Sequence, residues 1–206
     1  MQESPVAVKI ALLGNSGVGK TSIIQRYTSN IFQPGIMSTT GASYSNKIVH
    51  LNDIILQLDL WDTAGQEKYR SLGRNFYRDA YIIILVYDIT TKLSFNGLKE
   101  IWYPDLQKFG EKYNILAVVG NKNDLYEKED VDEDEARAFA QEINAVFDTV
   151  SAKNGDNIEN LFEKLINKYC EPMFQTKVSE STKKKGKTAK IDKSKNKKKN
   201  KKKSWC

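Results

Sequence analysis

The chain has 206 residues, with 32 Lys and Arg against 26 Asp and Glu and 40% hydrophobic residues, which is typical of one soluble domain. Charge is distributed unevenly along the chain. Residues 177–206 hold 14 Lys and two acidic residues and carry a net charge of +12, so residues 1–176 carry −6 if the whole chain carries +6. Only Cys170 and Cys206 are cysteines, which excludes a disulfide framework and favours a reducing compartment. The apolar runs fall far short of the roughly 20 residues that cross a bilayer, so we expect no membrane-spanning segment.

Strand-like and helix-like segments alternate along the chain and predict an α/β fold. Unbroken apolar strands favour a parallel sheet covered by helices on both faces, whereas residues 45–57 indicate an antiparallel edge hairpin. We therefore expect a six-stranded, mostly parallel sheet with one antiparallel edge strand and about five flanking helices. The predicted strands are Val6–Gly14, Tyr44–Leu51, Ile54–Asp62, Ile82–Asp88, Ile115–Gly120 and Val146–Ser151. The predicted helices include Lys20–Asn30, Ser94–Phe109, Asp132–Ile143 and Ile158–Tyr169.

Two helix ends have local signals in the sequence. Asp132, with Glu135 three residues later, has the pattern of a capping box at a helix start. Pro172 is expected to break the last helix. Beyond it the chain loses nearly all apolar content, which predicts a flexible tail. The expected organisation is a short N-terminal extension, one domain and a Lys-rich tail, at residues 1–5, 6–170 and 171–206 respectively.

Residues 14–21 match the phosphate-binding pattern G-x-x-x-x-G-K-[ST] and lie between a predicted strand and a predicted helix. Glycines in such a loop let backbone N–H groups surround phosphate oxygens, and the helix N-terminus adds partial positive charge. Lys20 can reach the β- and γ-phosphates of a nucleotide, and Thr21 can bind Mg²⁺. The predicted contacts from this loop are Asn15, Ser16, Gly17, Val18, Gly19, Lys20 and Thr21.

A second motif, at residues 121–124, follows an apolar strand and indicates the base. The Asp124 carboxylate can accept the N1–H and the exocyclic N2–H of guanine, neither of which adenine offers. Asn121 can contact the base edge or tie loops together, and the stem of Lys122 can lie on the ring face. This motif therefore predicts a preference for guanine over adenine.

A third motif begins at Ser151, again at the end of a predicted strand. The backbone N–H of Ala152 can donate to the guanine oxygen, and the apolar stem of Lys153 can cover the ring. We expect these residues to complete the base site.

Residues 62–67 form a fourth motif, also at a strand end. Asp62 can hold Mg²⁺ through water, Gly65 can donate its N–H to the γ-phosphate, and Gln66 can orient the attacking water. These are the tasks that phosphoryl transfer in P-loop GTPases requires.

With these motifs in order, the chain resembles a Rab-type small GTPase of the Ras superfamily over roughly residues 6–170. The resemblance implies a single P-loop GTPase domain that binds GTP or GDP with Mg²⁺ and hydrolyses GTP slowly unless an activating partner is bound. It identifies residues 38–44 as switch I and residues 62–78 as switch II. Residues 38–44 and 65–72 most resemble those of early-endosomal Rabs, which implies an endosomal address.

The same resemblance assigns roles to individual residues. Thr39 is expected to bind Mg²⁺ and the γ-phosphate only in the GTP state, Phe32 to stack beside the guanine, and Ser22 to join the nucleotide contacts. The expected catalytic residues are Gln66, Lys20, Thr39 and Gly65. The residues at the positions of the aromatic triad that effectors read are Tyr44, Trp61 and Phe76. A core role for these three aromatic residues is an equally good interpretation.

The Lys-rich tail suits an anionic membrane surface, and prenylation of Cys206 would make that attachment stable, whereas a plain solvated tail is the alternative. The family implies an exchange factor, a GTPase-activating protein, effectors, a GDP-dissociation inhibitor and the prenylation machinery as partners. It also implies a cytosolic pool and a place on the cytoplasmic face of intracellular membranes, where the switch regulates vesicular traffic.

Two other functions stay open from the sequence. One is a GTP-binding interaction module that does not hydrolyse GTP, although Gln66 and Thr39 argue against it. The other is a basic-tailed nucleic-acid-binding protein. No aromatic residues interleave the lysine runs, so we expect no specific nucleic-acid partner.

Overall fold

A computed structural model describes residues 4–39, 41–63, 77–109, 115–172 and 174 of the chain. The chain divides into two units, Met1–Ile166 and Asn167–Cys206. The predicted residues Gly65, Gln66, Phe76 and Cys206 lie outside the described residues. Among the helices of the described ranges, none is both long enough and apolar enough to span a bilayer.

Six strands form one sheet in the first unit, in the order β2-β3-β1-β4-β5-β6. Strand β2 pairs antiparallel with β3, and every other neighbouring pair is parallel. The strands are β1 (Val6–Leu13), β2 (Ala42–Leu51), β3 (Ile54–Thr63), β4 (Ile82–Asp88), β5 (Ile115–Asn121) and β6 (Val146–Val150). The predicted sheet, with its single antiparallel edge strand, is confirmed.

The helices of the described residues flank this sheet. They are α1 (Lys20–Ser29), α2 (Lys92–Gly97), a π-helical turn (Leu98–Trp102), α3 (Tyr103–Phe109), a 3₁₀ helix (Asn123–Lys128), α4 (Glu133–Glu142) and α5, which begins at residue 158. The predicted single helix Ser94–Phe109 is thus one helical segment that a π turn interrupts. Such turns widen the backbone by one residue and leave no clear signal in the hydrophobic pattern.

The burial of the central strands agrees with their parallel pairing. Every residue of β4 and β5 is buried, as expected when helices cover both faces of a parallel sheet. Strand β2 instead alternates between exposed and half-buried residues, which is typical of an edge strand. The carboxyl ends of β1, β3, β5 and β6 consequently meet at one edge of the sheet, where their loops can form a site.

One predicted boundary is wrong. The sequence predicts that Pro172 breaks the last helix, but residue 172 is helical in the second unit. Proline lacks an N–H donor, yet its fixed φ lies close to the helical value, so a single proline near a helix end does not have to stop the helix.

The predicted cap of helix α4 is confirmed at Asp132. Its Oδ1 accepts hydrogen bonds from the backbone N–H groups of Asp134, at 2.8 Å, and of Glu135, at 3.2 Å. The carboxylate of Glu135 lies beside Lys92, with which it forms an ion pair, and 3.5 Å from the ammonium of Lys99. Asp132 therefore satisfies two N–H groups that the first turn of a helix leaves without partners.

Replacing this cap is expected to destabilise the domain. Asp132→Ala should lower the free energy of unfolding by about 1 kcal/mol, because two backbone N–H groups lose their acceptor. Urea unfolding followed by circular dichroism measures the loss. Asp134→Ala removes the same charge from the same turn without removing the cap and serves as the control. An equal loss in both variants would contradict the capping role of Asp132.

Candidate functional site

A pocket of about 380 Å³ opens at the carboxyl edge of the sheet. This volume is within the range of small-molecule and cofactor sites. The predicted residues that line it are Ser16, Gly17, Gly19, Lys20, Thr21, Ser22, Phe32, Thr39, Asn121, Lys122, Asp124, Ala152 and Lys153. Residues from the first, second and third motifs therefore meet in one cavity, as the sequence predicts.

The loop between β1 and α1 forms one end of the pocket. A Cβ atom on Gly14 would lie 2.1 Å from the carbonyl oxygen of Val86, so the loop can pass there only as glycine. Gly19 has φ of 95° and is the N-cap of α1, where no side chain accepts from the first turn. The free N–H groups of this turn and the helix dipole favour an anionic ligand.

Lys20 is the first residue of α1, and its side chain turns back into the loop. The ammonium donates to the carbonyl oxygens of Gly14, at 2.7 Å, and of Asn15, at 3.0 Å. Lys20 is 5% exposed. Burial lowers the pKa of Lys20 to about 8, although the negative charge of Asp62 opposes this shift. A buried ammonium of this kind is stabilised by an anion in the pocket.

Three oxygen atoms converge next to Lys20. The Thr21 hydroxyl donates to Asp62 Oδ2 at 2.6 Å, and the Thr39 hydroxyl donates to the same oxygen at 3.1 Å. The two hydroxyl oxygens are 3.1 Å apart. The other carboxylate oxygen, Asp62 Oδ1, is buried and has no hydrogen-bond partner among the described residues. Hydroxyl and carboxylate oxygens are ligands that Mg²⁺ prefers, so this donor set fits the predicted metal.

The segment that holds Thr39 lies against the phosphate-binding loop. Ser38 Oγ is 3.0 Å from Ser16 Oγ, in addition to the contact between Thr39 and Thr21. The side chain of Met37 is 90% exposed. Residues 33–37 also line the pocket. The predicted switch I, residues 38–44, thus contributes a metal-ligand candidate, Thr39, and through Ser38 and Thr39 part of the pocket wall.

Asp124 lies at the other end of the pocket. Its Oδ1 accepts from the hydroxyl of Ser151 at 2.6 Å, and its Oδ2 is 3.3 Å from the ammonium of Lys153. Burial raises the pKa of Asp124, but the hydrogen bonds from Ser151 and Lys153 outweigh burial and hold that pKa below its usual value. The carboxylate is therefore ionised at neutral pH and can accept two N–H groups.

Asn121 ties the loops around the base end together. Its Nδ2 donates to the carbonyl oxygen of Val18 at 2.8 Å, and its Oδ1 accepts from the N–H of Ala152 at 3.1 Å. Asn121 is 1% exposed. Of the two roles that the sequence left open for Asn121, the structure contains the loop tie.

Several predicted residues contribute differently from the rest. The side chain of Asn15 lies outside the pocket, where its Oδ1 accepts from the indole N–H of Trp102 at 2.8 Å. Only the backbone of Asn15 faces Lys20. Val18 is buried, with its carbonyl on Asn121. Ser151 acts on the site through Asp124.

The sequence reasoning missed two residues that support the site. Asp88 ends β4 and forms an ion pair with Lys122, and its position at a strand end could have identified it. Arg26, on α1, donates to the backbone of residues 152 and 153. Every residue has a backbone carbonyl, so the sequence does not show which carbonyls accept a hydrogen bond from a side chain. No sequence signal therefore pointed to Arg26.

Two residues of the predicted effector surface are described. Tyr44 on β2 is 47% exposed and donates from its hydroxyl to Asp59 at 2.6 Å. Its ring meets that of Trp61 edge to face, with centroids 5.3 Å apart. Trp61 also packs against the buried core. Exposure of Tyr44 and partial burial of Trp61 are compatible with both interpretations of these aromatic residues.

The chain is similar in sequence to several known proteins. A model of the Ras family matches residues 9–171. The chain is similar to the human Ras-related protein Rab-30, with 40% identity over 162 residues that cover 79% of each chain. It is 41% identical to human Ras-related protein Rab-22A over 155 residues, 75% of this chain and 79% of the relative. Ras-related protein Rab-1 of Theileria parva is 38% identical over 162 residues, 79% of this chain and 74% of the relative.

The depressed pKa of Lys20 predicts a pH-dependent affinity for GDP. In the free protein, Lys20 is protonated below about pH 8 and deprotonated above it. Bound phosphates raise the pKa of Lys20, because their negative charge stabilises the ammonium. Above about pH 8 binding must therefore take up a proton, and the affinity should fall by up to about tenfold per pH unit. Titration calorimetry between pH 7 and pH 9.5, in two buffers of different ionisation enthalpy, measures both effects.

Lys20→Arg is the control for this pH dependence. A guanidinium stays protonated throughout the range, so the variant should bind GDP more weakly but without this dependence on pH. A wild-type affinity that is constant up to pH 9.5, with no proton uptake, would contradict the role of Lys20.

Proposed function

Because the chain belongs to the Ras family, as a Rab-type small GTPase that regulates membrane traffic and hydrolyses GTP to GDP, we propose that the pocket described above is its guanine-nucleotide site. We further propose that Mg²⁺ is bound there and that the GTP form is the one that effectors recognise. The observation that carries this proposal is a single cavity with a buried ammonium, Lys20, at one end and an ionised carboxylate, Asp124, at the other.

The phosphate end binds the anionic part of the nucleotide. The first turn of α1 offers N–H groups without a side-chain cap, and Lys20 can exchange its carbonyl partners for phosphate oxygens. Backbone donors and a buried cation together stabilise charge more strongly than an exposed lysine does, because water screens them less. This end therefore supplies most of the affinity for phosphates.

The base end supplies specificity. Asp124 accepts the N1–H and N2–H of guanine, while hydrogen bonds from Ser151 and Lys153 hold the carboxylate in place. With adenine, the same carboxylate faces no donor, and a desolvated carboxylate without a partner is strongly unfavourable. Phe32 also lines the pocket, and we expect it to stack beside the guanine.

Thr21, Thr39 and Asp62 would hold Mg²⁺, Asp62 through water. When bound, Mg²⁺ neutralises charge on the β- and γ-phosphate oxygens. Asp62 Oδ1, which is buried and unpartnered within the part of the chain that the structure describes, supports this assignment, since a buried carboxylate oxygen requires a donor or a cation nearby. Thr39 belongs to switch I, so loss of the γ-phosphate removes a contact that holds this segment.

Hydrolysis rests on Gln66, which orients the attacking water, and on Gly65, whose N–H stabilises the γ-phosphate oxygen. In the sequence both lie within three residues of the end of β3, the strand that carries Asp62. Catalysis is slow without an activating protein, because an arginine from the partner stabilises the transition state. The GTP form thus lasts until hydrolysis, and partner proteins control when that form begins and ends.

Partners and address follow from the Rab type. Exchange factors, activating proteins, effectors and a GDP-dissociation inhibitor act on the domain at residues 6–170, with Tyr44, Trp61 and Phe76 on the effector surface. The Lys-rich tail binds the anionic cytoplasmic face of endomembranes, and a cytosolic pool exchanges with it. Prenylation of Cys206 stays a prediction. The likeness of residues 38–44 to early-endosomal Rabs supports an endosomal address.

A single-turnover experiment with [γ-³²P]GTP tests the catalytic assignment. Gln66→Leu should retain an affinity for GTP close to that of the wild type, because Gln66 contacts the water and not the nucleotide. It should abolish the hydrolysis that an activating protein stimulates. Gln107→Leu, on α3, makes the same substitution away from the pocket and should hydrolyse GTP like the wild type. Equal rates in Gln66→Leu and the wild type would refute the role of Gln66.

A further inference from the structure

Arg26 lies on α1, behind the base end of the pocket, and its guanidinium makes four hydrogen bonds. Nε donates to the carbonyl oxygen of Ala152 at 2.9 Å, and one terminal nitrogen donates to that of Lys153 at 2.6 Å. The other terminal nitrogen donates to the backbone oxygen of Asn30 at 3.0 Å and to its Oδ1 at 2.9 Å. All three nitrogen atoms of this side chain are thus engaged with backbone at two separate segments.

The first segment is the loop that carries the predicted guanine contacts. Ala152 is 2% exposed, so its carbonyl depends on a protein donor, and Arg26 provides one. The N–H of the same residue is held from the other side by Asn121. A Cβ atom on Gly155, which has φ of 88°, would lie 3.5 Å from Cδ of Arg26. Arg26 and Asn121 therefore fix the orientation of the Ala152 backbone relative to the pocket.

The second segment is the end of α1. Asn30 is its C-cap, in the left-handed conformation with φ of 54°, and its N–H donates to the carbonyl oxygen of Arg26. Phe32, two residues later, lines the pocket. By binding both oxygens of Asn30, Arg26 sets the direction in which the chain leaves the helix toward Phe32.

A guanidinium suits this position better than an ammonium does. It is planar and presents donors in a fixed fork, so one group can hold three carbonyl oxygens and an amide oxygen at once. A lysine has its three donors on one nitrogen atom and cannot reach both segments with the same geometry. These four hydrogen bonds therefore require arginine at position 26, and another positively charged side chain cannot replace it.

We propose that Arg26 is a positioning residue that holds both walls of the base end, the Ala152–Lys153 loop and the Asn30–Phe32 segment, and thereby sets how long a guanine nucleotide stays bound. This proposal rests on the proposed function, since it assumes that the pocket holds the base there. Arg26 touches neither the phosphate-binding loop nor the metal-ligand set in these contacts, so it acts on nucleotide release and not on hydrolysis.

The test uses the full chain loaded with fluorescent GDP. Arg26→Lys keeps the charge and most of the stem but loses the fork, and it should release GDP about tenfold faster than the wild type, because bonds from a charged donor are lost. The association rate and the single-turnover hydrolysis of bound GTP should stay within about twofold of wild type. Arg26→Met, which removes the charge as well, should release GDP at least as fast.

Arg137→Lys is the matched control, because Arg137 lies on α4, pairs with Glu133 and stacks over Phe147 away from the pocket. It should release GDP like the wild type. Faster release with unchanged hydrolysis and unchanged circular dichroism in Arg26→Lys supports the proposal. Wild-type release in Arg26→Lys would overturn it, as would a parallel loss of hydrolysis and of helical signal, which indicates general unfolding. Failure of the wild type to bind GDP would instead overturn the proposed function.

Discussion

The side-chain amide of Asn121 is the contact on which the geometry of the site depends. It ends β5, and it joins the loop after β1 through the Val18 carbonyl to the loop after β6 through the Ala152 N–H. Parallel strands bring these three loops to one edge of the sheet, but only a shared hydrogen-bonding group fixes the distances between them. The fit is close, because a Cβ atom on Gly19 would lie 2.3 Å from the amide nitrogen of Asn121. The phosphate end and the base end are therefore held at a constant separation, as a ligand with two distinct ends requires.

The charges in the pocket are arranged to favour a ligand of opposite pattern. Burial lowers the pKa of Lys20 to about 8, which means that burial destabilises the charged ammonium. An anion in the pocket would stabilise it. At the other end, hydrogen bonds hold the Asp124 carboxylate ionised in spite of its burial. Near Lys20, Asp62 Oδ1 is buried and has no partner in the described ranges, while Oδ2 of the same carboxylate accepts from two hydroxyl groups. A guanine nucleotide with Mg²⁺ satisfies all three groups, since it supplies phosphate oxygens, a divalent cation and base N–H donors together.

Much of the fold and of the pocket could be predicted from the sequence, because the signals are local. The apolar runs of β4 and β5 indicate buried parallel strands, and each motif follows a strand, so its place at the carboxyl edge follows from topology. Contacts of side chains with groups far away in the sequence could not be predicted. The bonds from Arg26 to Ala152 and from Trp102 to Asn15 join residues far apart in the sequence, and no sequence pattern predicts either bond. The π turn was missed for a related reason, since one extra residue in a helix barely alters its hydrophobic period.

Nucleotide competition tests the central claim, that one pocket binds guanine nucleotides through Lys20 and Asp124, most directly. Protein loaded with fluorescent GDP is mixed with rising concentrations of GTP or of ATP in the presence of Mg²⁺, and displacement is followed by fluorescence. The account predicts that GTP displaces the label at concentrations near that of the protein, whereas ATP in about a thousandfold excess leaves it bound, because adenine has no N–H pair for Asp124. Displacement by ATP at concentrations similar to those of GTP would contradict the account.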